Sequence, residues 1–537
     1  MADLRTPTRR TVLQRLGQWG GAGLAFEALT ALGLLASPPA RAEPPRLPPD
    51  LGRGRSVVVI GAGLSGLCAG LLLARGGFDV AILEATGRAG GRSYSMRNGH
   101  SFAEEGGPRQ RVDFVGEGAY FNAGAGRIPR NHGVVLDWCR RLGVALEPYI
   151  FMCESNLFQN DAFNGGQAVP LGQLRYSLYG ALAELLDKAI RRQALDLPLP
   201  PGERDALRGL IARYGDLTRR GEAFVFEGSR RLGYSDPPGA GDAAGTLRPP
   251  IPLEQIVGSD AADLGLFSSM LLSWQNSLLE PVGGMDMIAA AFLRQDIPGG
   301  RQLRDIVQLN CPVAEIGQDA DTAALRLADG RRMRVDFLVS TMAPTLFTPL
   351  AHGLPAELKA DLDAIRFVAA TKVGFETRSR FWEADDGIYG GISFLKEDIS
   401  QVWYPSAGFG SPSGVLTAAY ARGAPAERLA ALPLGGRFEA ALRGGEKLHP
   451  NRYRANMRLA SAISVAWAQM PYFAGGWSYE DEATLATYDR LVKRLPWGRV
   501  YMAGDTFSHL PGWQEGALSA GELAARQIGE RVAAGRR

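Results

Sequence analysis

Hydrophobic residues run without a break through Val57-Val58-Val59-Ile60. Consecutive β-branched residues predict a strand buried on both faces, as in a parallel sheet. Leu67 onward reads as a helix that ends at Gly76–Gly77. A second apolar run, Asp79 to Leu83, stops at Glu84. Strand, helix and strand in this order open an α/β unit. Leu174, Leu178, Leu182, Leu185 and Leu186 recur at helical spacing within Leu174–Gln193 and predict an amphipathic helix packed on the protein. Arg204–Arg220 also reads as helix. Arg231–Pro252 is rich in Gly and Pro and predicts a long loop, a candidate lid over a substrate entrance. Cys311–Ile316 and the residues flanking Asp329-Gly330 read as short strands around a tight turn. Near the C-terminus the pattern is a strand, then Gly504-Asp505, a loop, and a helix from about Gly516.

The length of 537 residues predicts two or three domains with ample core. With 46% hydrophobic and 21% charged residues, the composition excludes a disordered chain, a fibrous one and a polytopic membrane protein. The net charge of +3 has a local source. Setting aside the five Arg and two acids of residues 1–42 leaves 54 charges of each sign, so nothing argues for nucleic acid. The four cysteines (Cys68, Cys139, Cys153, Cys311) are too few and scattered for a disulfide scaffold, and the five His show no metal-ligand spacing, so no metal is expected. The first 42 residues carry the pair Arg9–Arg10, an apolar stretch broken by Glu27, and the small-x-small pattern Ala40-Arg41-Ala42. This resembles a twin-arginine export signal, which implies the twin-arginine machinery as a partner and a periplasmic or secreted bacterial product. A stable membrane span is not expected, because Glu27 and several Gly interrupt the stretch.

The first strand runs directly into Gly61-Ala62-Gly63-Leu64-Ser65-Gly66. Gly61 permits a tight turn, Gly63 lets the backbone approach a pyrophosphate, and Gly66 allows close helix–strand packing. The following helix offers unpaired N–H groups and a positive dipole to phosphates. Glu84 can accept hydrogen bonds from ribose hydroxyls. Just beyond it lie Ala85, Arg88, Gly90, Gly91 and Arg92. Two glycines admit a close backbone approach, and an Arg can form charge-assisted bonds to a diphosphate.

This Arg-x-Gly-Gly-Arg element resembles that of the flavin amine oxidase family, which binds FAD. The resemblance runs from about Arg55 to Gly529 and is strongest to the L-amino-acid oxidase branch. It implies the following roles. Val313 meets the adenine through its backbone. Gly504-Asp505 places an acid near the ribityl or phosphate region, and the C-terminal helix, with Ala517, points at the flavin pyrimidine. Gly126-Arg127-Ile128-Pro129 resembles the segment whose Arg pairs with the substrate α-carboxylate beside the flavin. Tyr404, before Pro405, would donate its hydroxyl to the same carboxylate, with Trp403 left to the core. Lys372 would hold a water near flavin N5 or assist the oxygen half-reaction. The Gly512 carbonyl would accept from the substrate amine, Trp513 would wall the site, and Trp477 would face the substrate side chain. Covalent relatives carry a Cys at that last position, so FAD is expected to be non-covalent. The cofactor-contacting set so assigned is Gly61, Ala62, Gly63, Ser65, Gly66, Glu84, Ala85, Arg88, Gly91, Arg92, Gly126, Arg127, Val313, Gly504, Asp505, Gly512, Trp513 and Ala517.

The implied fold is α/β: an FAD-binding Rossmann-like domain of the glutathione-reductase type, interleaved with a mixed α+β substrate domain and a helical insertion. Its expected segments are an export signal (1–42), a linker (43–54), the FAD domain (55–130, 281–345 and 495–531), the insertion (131–280) and the substrate domain (346–494). The implied reaction oxidises an L-amino acid, expected to be hydrophobic or aromatic because two Trp would form an apolar slot. Hydride passes from Cα to flavin N5, the imino acid hydrolyses to a 2-oxo acid and ammonia, and dioxygen becomes hydrogen peroxide. An amino-acid 2-monooxygenase, an amine or polyamine oxidase, and a non-catalytic flavoprotein are the alternatives. The resemblance also suggests a homodimer.

Overall fold

A sheet of five parallel strands organises the nucleotide half of the molecule, in the order Val307–Gln308, Asp79–Leu83, Ser56–Ile60, Phe337–Ser340, Val500–Met502. The strands come from three separated stretches, each inside one of the segments 55–130, 281–345 and 495–531. Val57 to Ile60 are all buried, as their unbroken apolar run requires. The computed structural model describes residues 44–194, 199–479 and 481–535, so the export-signal reading of residues 1–42 lies outside the described residues. These elements belong to the compact unit Pro48–Arg537.

Leu64–Arg75 is the helix that follows the glycine motif. Gly61 has φ +100°, and a Cβ on Gly66 would sit 1.9 Å from the Gly61 carbonyl oxygen. Only glycine allows the chain to reverse so tightly between strand and helix. The C-terminal helix Gln514–Ala534 packs across Leu64–Arg75, so closely that a Cβ on Gly521 would lie 2.4 Å from the Ser65 carbonyl.

The second half is a seven-stranded sheet, in the order Ile463–Ala466, Ala370–Glu376, Val415–Arg422, Gln401–Tyr404, Gly391–Leu395, Leu157–Gln159, Val169–Pro170. Its neighbours are antiparallel except Gly391–Leu395 beside Leu157–Gln159. The strand Ala370–Glu376 is buried throughout and carries Lys372. Its register sets Lys372 directly opposite Tyr420.

The stretch between the halves is helical with short ribbons. Leu171–Arg191 forms the predicted amphipathic helix, with Leu174 and Leu178 buried but Leu182, Leu185 and Leu186 exposed. The next helix, Pro201–Gly215, ends earlier than its sequence suggests, because Asp216 adopts the left-handed conformation at φ 52° and the chain turns into an extended pair. The predicted loop Arg231–Pro252 contains a short hairpin, Tyr234–Asp236 with Thr246–Leu247. Among the described residues no helix is long and apolar enough to cross a membrane.

Candidate active site

One cavity of about 820 Å³ runs from the glycine turn at the end of the first strand to the face of the seven-stranded sheet. Gly61, Gly63, Ser65, Glu84, Ala85, Gly91, Arg92, Val313, Gly504, Asp505 and Ala517 line one part of it, and Gly126, Arg127, Lys372, Trp477, Gly512 and Trp513 line the other. Such a volume is that of a cofactor-plus-substrate site.

At the nucleotide end the charged groups are fixed from within the chain. Glu84 accepts from the backbone N–H of Ala62 (2.8 Å) and from the N–H and hydroxyl of Thr86 (2.9 and 2.7 Å). Arg92 pairs with buried Asp505 and donates to the Gly476 carbonyl at 2.6 Å. The other Asp505 oxygen accepts from the Gly512 N–H at 2.8 Å. Gly512 has φ +78°, and a Cβ there would lie 2.9 Å from the Trp477 Cβ, so the turn that shapes this wall depends on glycine. Gly63 faces Gly91 across bare backbone; the atom nearest a Cβ built on Gly63 is the Gly91 Cα, 4.0 Å away. Three residues expected at the cofactor are not among those that line the cavity. Ala62 acts through its N–H on Glu84, and Gly66 packs helix on strand. Arg88 lies flat over the Tyr94 ring, 3.6 Å from its centroid, outside the lining. Burial holds its guanidinium below the ordinary range.

Arg127 comes from a loop held on several sides. Ile128 and Leu279 exchange backbone hydrogen bonds of 2.6 and 3.0 Å. Trp467 Nε1 donates to the Ala123 carbonyl at 2.9 Å. Lys372 Nζ donates to the carbonyls of Asn122 and Gly124 at 2.9 and 2.7 Å. The Arg127 guanidinium then stands among the rings of Trp403 (4.8 Å), Trp274 (5.0 Å), Phe151 (5.1 Å) and Trp513 (5.7 Å). Its buried Nε has no hydrogen-bond partner, and among the described residues no carboxylate pairs with it. Burial lowers its pKa, and nearby Arg422 adds to that. Lys372 is pushed down to about 7 by burial and, secondarily, by Arg127. His132, edge-on to Trp513 at 4.7 Å, is pushed down to about 4 by burial and by Arg127.

Tyr404 is a correction. Its ring is fully buried on the opposite face of its strand, and its hydroxyl bonds to Ser393 (2.9 Å) and His449 Nε2 (2.7 Å), outside the cavity lining. Neighbouring positions on a strand point to opposite faces. Trp403, expected in the core, therefore takes the cavity face. Tyr420, Arg422 and Trp274 also line the cavity and were not singled out from sequence. Tyr420 and Arg422 are two apart on one strand, and the same alternation puts both on the Lys372 face. No residue of Arg231–Pro252 lines the cavity.

The family model of flavin containing amine oxidoreductases matches residues 64–529. This chain belongs to that family. A flavin and the flavin-dependent oxidation of an amine or amino acid come with that membership. The chain is 27% identical over 506 residues to the flavin-dependent L-tryptophan oxidase RebO of Lentzea aerocolonigenes, covering 88% of this chain and 98% of the relative. It is 26% identical over 499 residues to an L-amino-acid oxidase of Siganus canaliculatus, covering 90% and 87%. The cyclohexylamine oxidase of Brevibacterium oxydans IH-35A shares the fold, with TM-score 0.56, 20% identity, and coverage of 89% of this chain and 99% of that one.

The residues present fit a flavin dinucleotide. Gly63 and Gly91 line the cavity and pack backbone to backbone, a Cβ on Gly91 lying 3.2 Å from the Gly63 Cα, so they present bare backbone to a diphosphate, and Glu84 stands at the end of the second strand, where a ribose is held in such sheets. Val313 lines the cavity, and so does Ala517 in the first turn of Gln514–Ala534, which brings that helix's positive dipole end to it.

Proposed function

We propose that this protein oxidises L-amino acids at Cα to a 2-oxo acid, ammonia and hydrogen peroxide, with FAD held non-covalently. The observation that carries the reading is the Arg127 guanidinium, which lines the cavity, is enclosed by aromatic rings, and has no acidic partner among the described residues. A buried charge without a counter-charge is costly. A substrate carboxylate supplies that counter-charge, and a simple amine does not. The bound FAD would supply the redox chemistry, accepting hydride from Cα and passing the electron pair to dioxygen.

The chain's residues supply position and charge. Arg127 matches the α-carboxylate bidentately and fixes Cα, which replaces an entropic cost at the moment of reaction. Trp403, Trp477 and Trp513 keep water from the slot. Lys372 donates N–H groups to two carbonyls and lines the cavity, where it would hold a water near the flavin or assist the oxygen half-reaction. No side chain is assigned as a proton-abstracting base. Two electrons and two hydrogens leave the Cα–N unit and end in hydrogen peroxide, water supplies the oxo oxygen, and ammonia departs. Trp477 lines the wall where the family resemblance puts the cysteine of covalent enzymes, which supports dissociable FAD. The Arg9–Arg10 pattern adds export from a bacterial cytoplasm to the proposal, tested by cell fractionation.

The decisive experiment is anaerobic bleaching of the yellow holoprotein by the twenty L-amino acids and by their decarboxylated amines, followed by aerobic product analysis. Bleaching by amino acids with 2-oxo acid and peroxide as products supports the proposal. An amide and carbon dioxide would make it a 2-monooxygenase. Bleaching by amines alone would make it an amine oxidase, and bleaching by none would make it a non-catalytic flavoprotein.

A further inference from the structure

The substrate end of the cavity holds a second guanidinium. Arg422 is the last residue of the strand Val415–Arg422, exposed and lining the cavity. Among the described residues it forms no ion pair and no side-chain hydrogen bond; its guanidinium rests 5.3 Å from the centroid of the Trp274 ring. The Arg127 guanidinium is 5.0 Å from the centroid of that same ring. One indole therefore lies against both, and their separation cannot exceed the sum of those two distances. Lys372 adds a third basic group to this end. The acidic lining residues, Glu84 and Asp505, are both engaged at the nucleotide end, by the Ala62 and Thr86 donors and by Arg92.

An α-carboxylate answers Arg127 and leaves Arg422 unanswered. An apolar side chain laid against Arg422 would strip water from a guanidinium and return nothing. A second carboxylate would gain charge-assisted, bidentate hydrogen bonds. The spacing suits one short molecule, since both guanidiniums lie within 5.3 Å of one ring centroid.

We propose that the cavity selects a dicarboxylic L-amino acid, with Arg127 taking the α-carboxylate and Arg422 the side-chain carboxylate. This deepens the amino-acid reading and rests on it. It departs from the hydrophobic or aromatic side chain that the tryptophans suggest, because the rings around Arg127 serve as walls of a cationic site.

The test compares kcat/KM of the holoenzyme for L-glutamate and L-aspartate with that for their neutral isosteres L-glutamine and L-asparagine, and for L-phenylalanine and L-leucine. The expected result is a preference for the acidic member of each pair by about tenfold or more, the worth of a charged hydrogen bond. Arg422→Ala should collapse that acid-to-amide ratio toward one, and Arg422→Glu should shift preference to L-lysine or L-arginine. Arg422 is exposed, and flavin absorbance per protein checks that each variant is folded and loaded. An acid-to-amide ratio unmoved by Arg422→Ala overturns the inference. So does oxidation of phenylalanine and leucine in preference to glutamate and aspartate, an outcome that leaves the amino-acid reading standing. Bleaching by amines with no amino acid active overturns both.

Discussion

At the nucleotide end of the cavity, Glu84, Arg92 and Asp505 are satisfied before any ligand arrives, by backbone N–H groups, a carbonyl and each other. At the substrate end, Arg127 and Arg422 line the same cavity with no carboxylate beside them among the described residues. The first end is a finished scaffold whose charges hold its own shape. The second, under the proposed function, keeps its charges for a substrate that comes and goes. An end that binds one molecule tightly profits from rigidity, whereas an end that must turn over substrates needs its strongest interactions to be incomplete without them.

That contrast can be broken most decisively at Arg127. Arg127→Ala is expected to keep the flavin, read as visible absorbance per protein, while kcat/KM falls by on the order of 3–5 kcal/mol. Near-normal kinetics would mean the reserve charge is not spent on substrate. The converse experiment is Asp505→Ala, which frees Arg92 and the Gly512 N–H. Flavin affinity, measured by titration of the apoprotein, should fall by about 1.5–3 kcal/mol, the worth of hydrogen bonds to charged groups.

A pH experiment extends the contrast to the ribbon behind Arg127. Glu280 and Glu147 stand directly opposite each other in the pair Ser277–Pro281 and Leu146–Ile150, whose Leu279 bonds to Ile128. Burial, and then Glu147, push Glu280 up to about 8, with Tyr120 and Tyr149 as its other titratable neighbours. A carboxyl raised in the folded state favours folding while protonated. Its contribution is complete below the ordinary carboxylate range and is lost as pH rises toward about 8. Glu280→Gln should therefore flatten the decline of stability between pH 5 and 8, followed as Tm, to which Glu280 contributes up to about 1.4 kcal/mol of unfolding free energy per pH unit in the wild type. Parallel Tm profiles for the two proteins would show that Glu280 ionises normally. The smallest effect belongs to Tyr404→Phe, which removes bonds to Ser393 and His449 outside the cavity. It should cost about 1 kcal/mol of stability and leave KM unchanged. A changed KM would return Tyr404 to the substrate.

The same division explains what could be read from sequence. The glycine turn, Glu84 and the strand–helix order lie within one contiguous stretch, and local physics dictates their arrangement. The face of the second sheet is different. Lys372 and Tyr420 meet only through an antiparallel register that joins distant strands, and nothing local announces it. Tyr404 and Trp403 were exchanged because two adjacent aromatics on a strand look alike until one knows which side is core. Trp274 sits in a short 3-10 turn with no periodic pattern to read. Arg88, expected at the phosphates, lies over an aromatic ring only a few residues on, at Tyr94.

Lys372 has one last effect, through the carbonyls of Asn122 and Gly124. It moors the strand that carries it to the loop that carries Arg127, so under the proposed function the reach of that guanidinium toward a carboxylate depends on an amine that need not touch the amino acid at all. An evolving enzyme could retune how far a substrate slides into the slot by adjusting this tether, while every residue that meets the substrate stays the same.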